Sequence, residues 1–492
     1  MTLRVTNTLT GEKEPFEPRD PDSVLLYYCG LTTSDPPHLG HARGWVHVDA
    51  MARWLDHLGY DVHHVENFTD VNEKIVARVG EDGDSEESVA RHYVQQVIDD
   101  MRSLNLGRAE VYPRVSEHVP EIIDLVERLV EQGHAYEQNG SVYFDVTSFE
   151  DYGKLSNQSV DDIESQGEDT EGEKRHPADF ALWKAGGVDP EDIAEHQHSE
   201  AAPAEEACQT AQTWDSPWGE GRPGWHIECS AMSMTHLDES IDIHVGGQDL
   251  VFPHHENEVA QSEAATGQQF AKYWLHVRLL ETEEEKMSSS LGNYFTVADA
   301  VEEFGPDVLR TFLLSTAYTS RATYSDETIA EAEERWDRLS RGYERAVEAC
   351  DDVDAYAKVT DETLRDAVDD ARSAFEEAMN DDFNTREAMT ALLDLTAAVN
   401  SHLDAHEQRD YQGLRRAVET FEELGGGILG LAFGDDDSGD VSLAGDVVDL
   451  VLDIREQERD AGNYERADEL RDELEALGVE VQDTDDGPTY RL

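Results

Sequence analysis

The chain is poor in positive charge and in cysteine, and it has no long apolar run. Only 38 of its 492 residues are Lys or Arg, most of them Arg, against 110 Asp and Glu, a formal charge of −72. This excludes the broad basic surface that attracts nucleic acid at low ionic strength, and it makes the chain repel itself. Disorder would follow if apolar residues were equally scarce, yet 38% are hydrophobic and aromatics recur from end to end. A folded protein in a high-salt cytoplasm satisfies both facts, because molar salt shrinks the Debye length to about 3 Å. The four cysteines, Cys29, Cys208, Cys229 and Cys350, are too scattered for a disulfide framework, and none has CxxC spacing. No apolar run is long enough to span a bilayer and none resembles a signal peptide. A soluble, cytoplasmic protein with no membrane partner is expected.

What is present divides the chain. Ser23–Tyr28 is a short apolar run ending at Cys29-Gly30. A turn-rich stretch, Thr33-Ser34-Asp35-Pro36-Pro37, leads into His38-Leu39-Gly40-His41 and then into an amphipathic pattern through Trp45, Val48, Met51, Ala52 and Leu55 that stops at Gly59. Val62–Asn67 reads as the next strand. Strand, helix, strand in this order predicts a parallel sheet with ligands at the strand C-terminal ends. The pattern turns α+β from Val115, with a helix near Val119–Gln132 and a strand at Ser141–Val146, and then acidic across 157–175 and 186–213. A second strand-and-helix region runs from Trp214 to about Leu280. The pattern is almost wholly helical after Leu291, and Gly425-Gly426-Gly427 with the acidic Asp435–Asp440 sets off a last module. The expected fold class is α/β. A Rossmann-like parallel-sheet domain, residues 1–114 and 214–280, is split by a connective insertion at 115–213. A loop and a helical region follow at 281–330, a helical bundle at 331–430, and a small module at 443–492.

Three groups of residues carry chemistry. His38-Leu39-Gly40-His41 lies where a helix begins, offering free N–H groups and a positive dipole to phosphate; the two imidazoles add donors, and Gly40 lets a base approach the backbone. Lys286-Met287-Ser288-Ser289-Ser290-Leu291-Gly292-Asn293 combines a point charge, hydroxyls and a flexible Gly, which suits transient contact with a triphosphate. The third group is Cys29, the Gly221–Met232 segment with Trp225 and Cys229, and the Gly246–Glu258 segment with Asp249, His254, His255 and Glu258. Two thiols, an imidazole and a carboxylate make a zinc donor set. His254 and Glu258 share a helix face at i and i+4; on spacing alone His255, at i and i+3, serves as well.

The first two motifs, in this order and this far apart, resemble those of the HIGH/KMSKS-type aminoacyl-tRNA synthetases. With Tyr28-Cys29-Gly30, Glu66-Asn67-Phe68-Thr69-Asp70, Asp179–Lys184, Gly224–Cys229 and His254–Glu258, the chain resembles the cysteinyl-tRNA synthetases over nearly its whole length. The resemblance implies ligation of L-cysteine to tRNA(Cys) in two steps, ATP-dependent adenylate formation and then transfer to the tRNA 3′ end. It implies one Zn²⁺ on Cys29, Cys229, His254 and Glu258, selecting the cysteine thiol, and Mg²⁺ with ATP. It puts ATP contacts at His38, Gly40, His41, Lys286 and Ser289 and a substrate pocket at Trp225, Thr69 and Asp249. It also implies a monomer whose last module binds the anticodon. One departure stands out: Ser289 occupies the place of the family's second loop lysine. The competing readings are a related ligase joining cysteine to an amino-sugar inositol, an inactive binding homologue, and a nucleotidyltransferase acting on a small acid.

Overall fold

The computed structural model describes residues 2–433 except 161–162, 164–172, 195, 199–200 and 283–294, together with part of 451–491. The chain forms two compact units, Met1–Leu431 and Ala432–Leu492.

The first unit is built on a four-stranded parallel sheet in the order Ala271–Val277, Ile241–Gly247, Ser23–Tyr28, Asp61–Glu66. The run read as strand is one, and its partner pairs residue for residue from Ser23↔Asp61 to Tyr28↔Glu66. The strand Ile241–Gly247 is buried along almost its entire length, as a parallel strand covered on both faces must be. Between the strands Ser23–Tyr28 and Asp61–Glu66 runs the helix Leu39–His57. Chain direction across the sheet changes between Ser23–Tyr28 and Ile241–Gly247, so a crevice opens at their C-terminal ends.

The inserted region carries a five-stranded antiparallel sheet in the order Ala135–Gln138, Ser141–Phe144, Phe180–Ala185, Gly219–Pro223, Trp214–Ser216. The last two strands differ from the sequence reading, which begins the return to the parallel sheet at Trp214. Ser216 Oγ accepts from Trp218 N at 3.2 Å and donates to Gly219 O at 2.6 Å, closing a hairpin that pairs with Phe180–Ala185. The return to the parallel sheet comes only with the helix Trp225–His236. The acidic stretch after 186 folds back as two short helices, Pro190–Ala194 and Ala204–Ala207. Ile193 and Ala207 are buried there against Val76, Val79, Val89 and Tyr93.

Helices dominate after Phe295: Val297–Phe304, Pro306–Leu314, Asp326–Cys350, Glu362–Asn380, Thr385–Ala405 and Tyr411–Thr420. Two buried arginines tie them to the half of the unit that carries the parallel sheet. Arg43 donates to the carbonyls of Arg278, Leu313, Ala317 and Ser320 at 2.8 to 3.2 Å, and burial pulls its pKa down to about 10. Arg310 donates to Asp49 Oδ2 at 2.6 Å and to the carbonyls of Leu104 and Leu429 at 2.7 and 2.8 Å. Such a charge is stable in the interior only when its donors are satisfied. The second unit contains an antiparallel hairpin, Glu480–Thr484 with Gly487–Arg491, preceded by helical turns among residues 451–474.

Candidate metal centre and active site

Four donors separated by as many as 229 positions meet at the C-terminal edge of the parallel sheet. Cys29 follows the strand Ser23–Tyr28, and its backbone N–H donates to Val245 O at 3.0 Å on the neighbouring strand. Cys229 comes from the helix Trp225–His236, His254 from the turn before the helix Glu256–Thr266, and Glu258 from that helix's first turn. One atom of each lies within 4.8 Å of the others, and all four residues are buried. Cys29 Sγ is 3.5 Å from Cys229 Sγ and 3.4 Å from His254 Nε2, which is 3.1 Å from Glu258 Oε1. Glu258 Oε1 is buried and receives no well-aligned hydrogen bond, its polar neighbour there being His254 in an ion-pair contact. His255 bonds His276 Nε2 through Nδ1 at 2.8 Å and holds its Nε2 3.9 Å from Glu258 Oε1, grouping with His244 and Glu258 rather than with the two sulfurs, so folding separates two histidines that spacing left equivalent.

The electrostatics describe a site short of positive charge. Burial works against a charged His254, but Cys229 and Glu258 outweigh it and hold the imidazole up to about 10. Cys229 is raised well above the usual thiol range by its bond to Cys29 and by burial. For Cys29 the Cys229 partner pulls down, but burial and Glu258 outweigh it and raise the thiol. Burial opposes ionisation of Glu258, yet His244 and His254 bring it below the usual carboxylate value. A divalent cation bound by two sulfurs, one imidazole nitrogen and one carboxylate oxygen would supply the missing charge. Thiolate, imidazole and carboxylate are the ligand types zinc takes, and four of them suit its tetrahedral geometry.

A second ring of histidines surrounds the donors. His244 Nε2 lies 3.1 Å from Glu258 Oε2, and His226 Nδ1 lies 3.1 Å from His254 Nδ1. Burial, reinforced by neighbouring imidazoles, lowers His226, His255 and His276, the last to about 3. A neutral His226 accepts the His254 Nδ1 proton and so leaves His254 Nε2 facing the sulfurs. The sequence signal for this ring was only that histidines crowd the segments 226–276, and sequence reasoning passed over it. It also passed over Asn67, which lies 3.7 Å from Cys229 Sγ.

The remaining residues occupy the rim. Trp225, 39% exposed, stands at the start of its helix with its ring 4.4 Å from that of His254. Thr69 is buried and receives Asn67 Nδ2 on its hydroxyl at 3.3 Å. Asp249 is exposed on the turn Gln248–Leu250 that follows the strand Ile241–Gly247. His38 caps the helix Leu39–His57: its Nδ1 accepts from Gly40 N at 3.0 Å, and His41 Nδ1 accepts from His38 N at 3.2 Å. The rings stack at 3.8 Å. Accepting at Nδ1 leaves the proton of each neutral ring on Nε2, which is therefore a donor. Gly40 has a local cause as well: a Cβ there would lie 2.7 Å from the His38 ring. Lys286 and Ser289 lie outside the described residues. The chain that follows them is pinned to the His38 turn, with Leu39 N donating to Phe295 O at 3.2 Å and Val297 N to Pro37 O at 2.9 Å.

Comparison with known proteins gives the family. Residues 15–334 match the class I (C) tRNA synthetase catalytic domain, residues 374–434 a DALR domain, and residues 445–491 the cysteinyl-tRNA ligase anticodon binding domain. The chain is 94% identical over 492 residues to the cysteine–tRNA ligase of Haloarcula marismortui, covering all of both. It is 66% identical to that of Halobacterium salinarum, again covering all of both. With that of Thermococcus onnurineus it shares 41%, over all of this chain and 99% of the relative. The halophile sources fit the acidic composition. Among solved structures, a Mycobacterium tuberculosis methionyl-tRNA synthetase with methionyl-adenylate superposes with a TM-score of 0.62 at 15% identity, over 83% of this chain and 92% of that one. It thus shares the class I fold. The chain belongs to the cysteine–tRNA ligases, class I aminoacyl-tRNA synthetases that aminoacylate tRNA with cysteine.

Proposed function

We propose that the chain ligates L-cysteine to tRNA(Cys) in two steps, forming cysteinyl adenylate from ATP and then transferring the cysteinyl group to the tRNA 3′ end, with zinc selecting the cysteine by its sulfur. The observation that carries this reading is the buried convergence of Cys29, Cys229, His254 and Glu258 at the sheet's C-terminal edge. Zinc held there would supply a soft cation for a thiolate, which the hydroxyl of serine matches poorly.

The chain's own residues do the rest. The attacking carboxylate of the amino acid is already ionised, so no protein base is required, and catalysis is positioning with charge stabilisation. The Nε2–H groups of His38 and His41 would donate to the ATP phosphates, with Gly40 between them. Lys286 and the Ser289 hydroxyl serve the leaving pyrophosphate, with Mg²⁺ carried by ATP. Trp225 walls the cysteine pocket, Thr69 lines it, and the Asp249 carboxylate suits the substrate ammonium. In this reading residues 1–114 and the stretch up to 280 beyond the antiparallel sheet form the catalytic core. Residues 281–330 meet the acceptor stem, 331–430 form the bundle, and 443–492 bind the anticodon. The protein works as a cytoplasmic monomer; among the described residues no helix is long and apolar enough to cross a membrane.

Cysteine-dependent ATP–pyrophosphate exchange followed by aminoacylation of transcribed tRNA(Cys), in molar KCl with zinc quantified on the same sample, tests the proposal. Exchange that serine supports as well as cysteine, or a protein active without zinc, would overturn it.

A further inference from the structure

One buried amide joins the two thiols to the pocket. Asn67 follows directly on the strand Asp61–Glu66 and has no exposed surface. Its Oδ1 accepts from the Gly30 backbone N–H at 3.0 Å and from the Tyr27 hydroxyl at 2.9 Å, and Cys229 Sγ stands 3.7 Å from the same oxygen. Its Nδ2 donates to Thr69 Oγ1 at 3.3 Å. A backbone N–H can only donate, so Gly30 decides which end of the amide is oxygen. The two backbones are also in contact, since a Cβ on Gly30 would lie 1.7 Å from the Asn67 carbonyl oxygen. Asn67 therefore holds the residue after Cys29, abuts Cys229 and orients Thr69, although it is none of the four donors.

We propose that Asn67 is a positioning residue for the metal and cysteine site: it sets the separation of the Cys29 and Cys229 sulfurs and aligns the Thr69 hydroxyl with them. The inference rests on the zinc reading above. The task needs an acceptor and a donor on one short, uncharged stem. Alanine offers neither. Aspartate keeps the acceptor for Gly30 and Tyr27, but it loses the donor to Thr69 and brings negative charge beside two thiolates. Cys229 Sγ is a weak donor to the amide oxygen at 3.7 Å and loses that bond as a thiolate, so Asn67 acts on the metal-bound site through Gly30, Tyr27 and Thr69. Partners of metal ligands at this remove fix ligand direction and carry about 10- to 100-fold in metal affinity.

The test uses the full-length chain in molar KCl, as parent, Asn67→Ala and Asn67→Asp. Zinc per chain is measured after dialysis, then the rate of zinc transfer to a chromophoric chelator. The KM values for cysteine and for ATP are then measured separately in pyrophosphate exchange. The expected parent holds one zinc. Asn67→Ala passes zinc to the chelator about 10- to 100-fold faster. Asn67→Asp retains zinc but shows a cysteine KM raised about tenfold or more, with the ATP KM unchanged. A parent without zinc overturns the metal reading and this proposal with it. A zinc-loaded parent together with an Asn67→Ala variant that releases zinc at the parent rate and keeps the parent cysteine KM overturns this proposal alone. Should Asn67→Ala fail to fold, Asn67→Asp decides: cysteine and ATP KM values both at the parent level overturn the proposal.

Discussion

Replacing Glu66 by glutamine should stabilise this protein at neutral pH and weaken it in mild acid. Glu66 ends the strand Asp61–Glu66, is 4% exposed, and accepts one bond, from Trp45 Nε1 at 2.8 Å. Burial pushes its carboxyl from an ordinary 4.5 up to about 8, against the opposing pull of the Trp45 N–H. The folded-state pKa is therefore raised. The group's contribution to stability is complete below pH 4.5, where both states hold the proton, and is lost progressively as pH rises to about 8. At about 1.4 kcal/mol per pH unit, this amounts to roughly 3 kcal/mol by pH 7. Glutamine keeps an oxygen for Trp45 and never ionises, but it buries an amide N–H₂, which costs about 1–3 kcal/mol when unpaired. The variant should thus be less stable than the parent by about 1–2 kcal/mol at pH 5 and more stable by about 1–3 kcal/mol at pH 8. Urea unfolding of both proteins in molar KCl, followed by tryptophan fluorescence from pH 5 to 8, reads this difference, and every other titrating group cancels between them. A variant-minus-parent difference that stays flat across that range would refute the reasoning.

Other perturbations have equally definite outcomes. Glu258→Gln removes the anionic ligand from a cluster of buried groups, so zinc affinity should fall by more than about 100-fold while far-ultraviolet circular dichroism is preserved; a variant that keeps one zinc through dialysis contradicts this. Arg310→Met strips three buried acceptors of a charged donor, and denaturant unfolding should show a loss of about 3–5 kcal/mol. A loss under about 1 kcal/mol would mean that Arg53, also bonded to Asp49 at 2.8 Å, compensates. Lys286→Ala should lower the rate of pyrophosphate exchange far more than it raises the cysteine KM, and an unchanged rate would discard a role for Lys286.

How far the molecule could be read before folding varies by element. The strand Ser23–Tyr28 and the helix Leu39–His57 were legible because their signals are local: an apolar run, then a capped amphipathic period stopping near Gly59. The hairpin Trp214–Pro223 was not. Both sheets accept short strands, and only its pairing with Phe180–Ala185 decides which sheet it joins. The acidic stretch after 186 reads in sequence as a surface loop or insertion, because its few apolar residues are spaced too widely for a period. They find their partners on the helix Glu86–Ser103 and on residues 75–79, about a hundred positions earlier. Asn67 sat in plain view within Glu66–Asp70, but a hydrogen-bonding hub is defined by what surrounds it, and three of its four partners lie on other segments.

The amino-acid order alone determined the chemistry on offer and its broad setting. It specified an acidic chain built for salt, a parallel sheet opening on a His-Leu-Gly-His helix start, and a set of thiol, imidazole and carboxylate donors, because composition, period and capping act over a few neighbouring residues. Folding decided which of the adjacent histidines faces the sulfurs, which imidazoles stay uncharged, and which amide holds Cys29 against Cys229. Those outcomes depend on burial and on distances of 3 to 4 Å between residues tens to hundreds of positions apart, and such distances exist only once the sheet has brought its strand ends together.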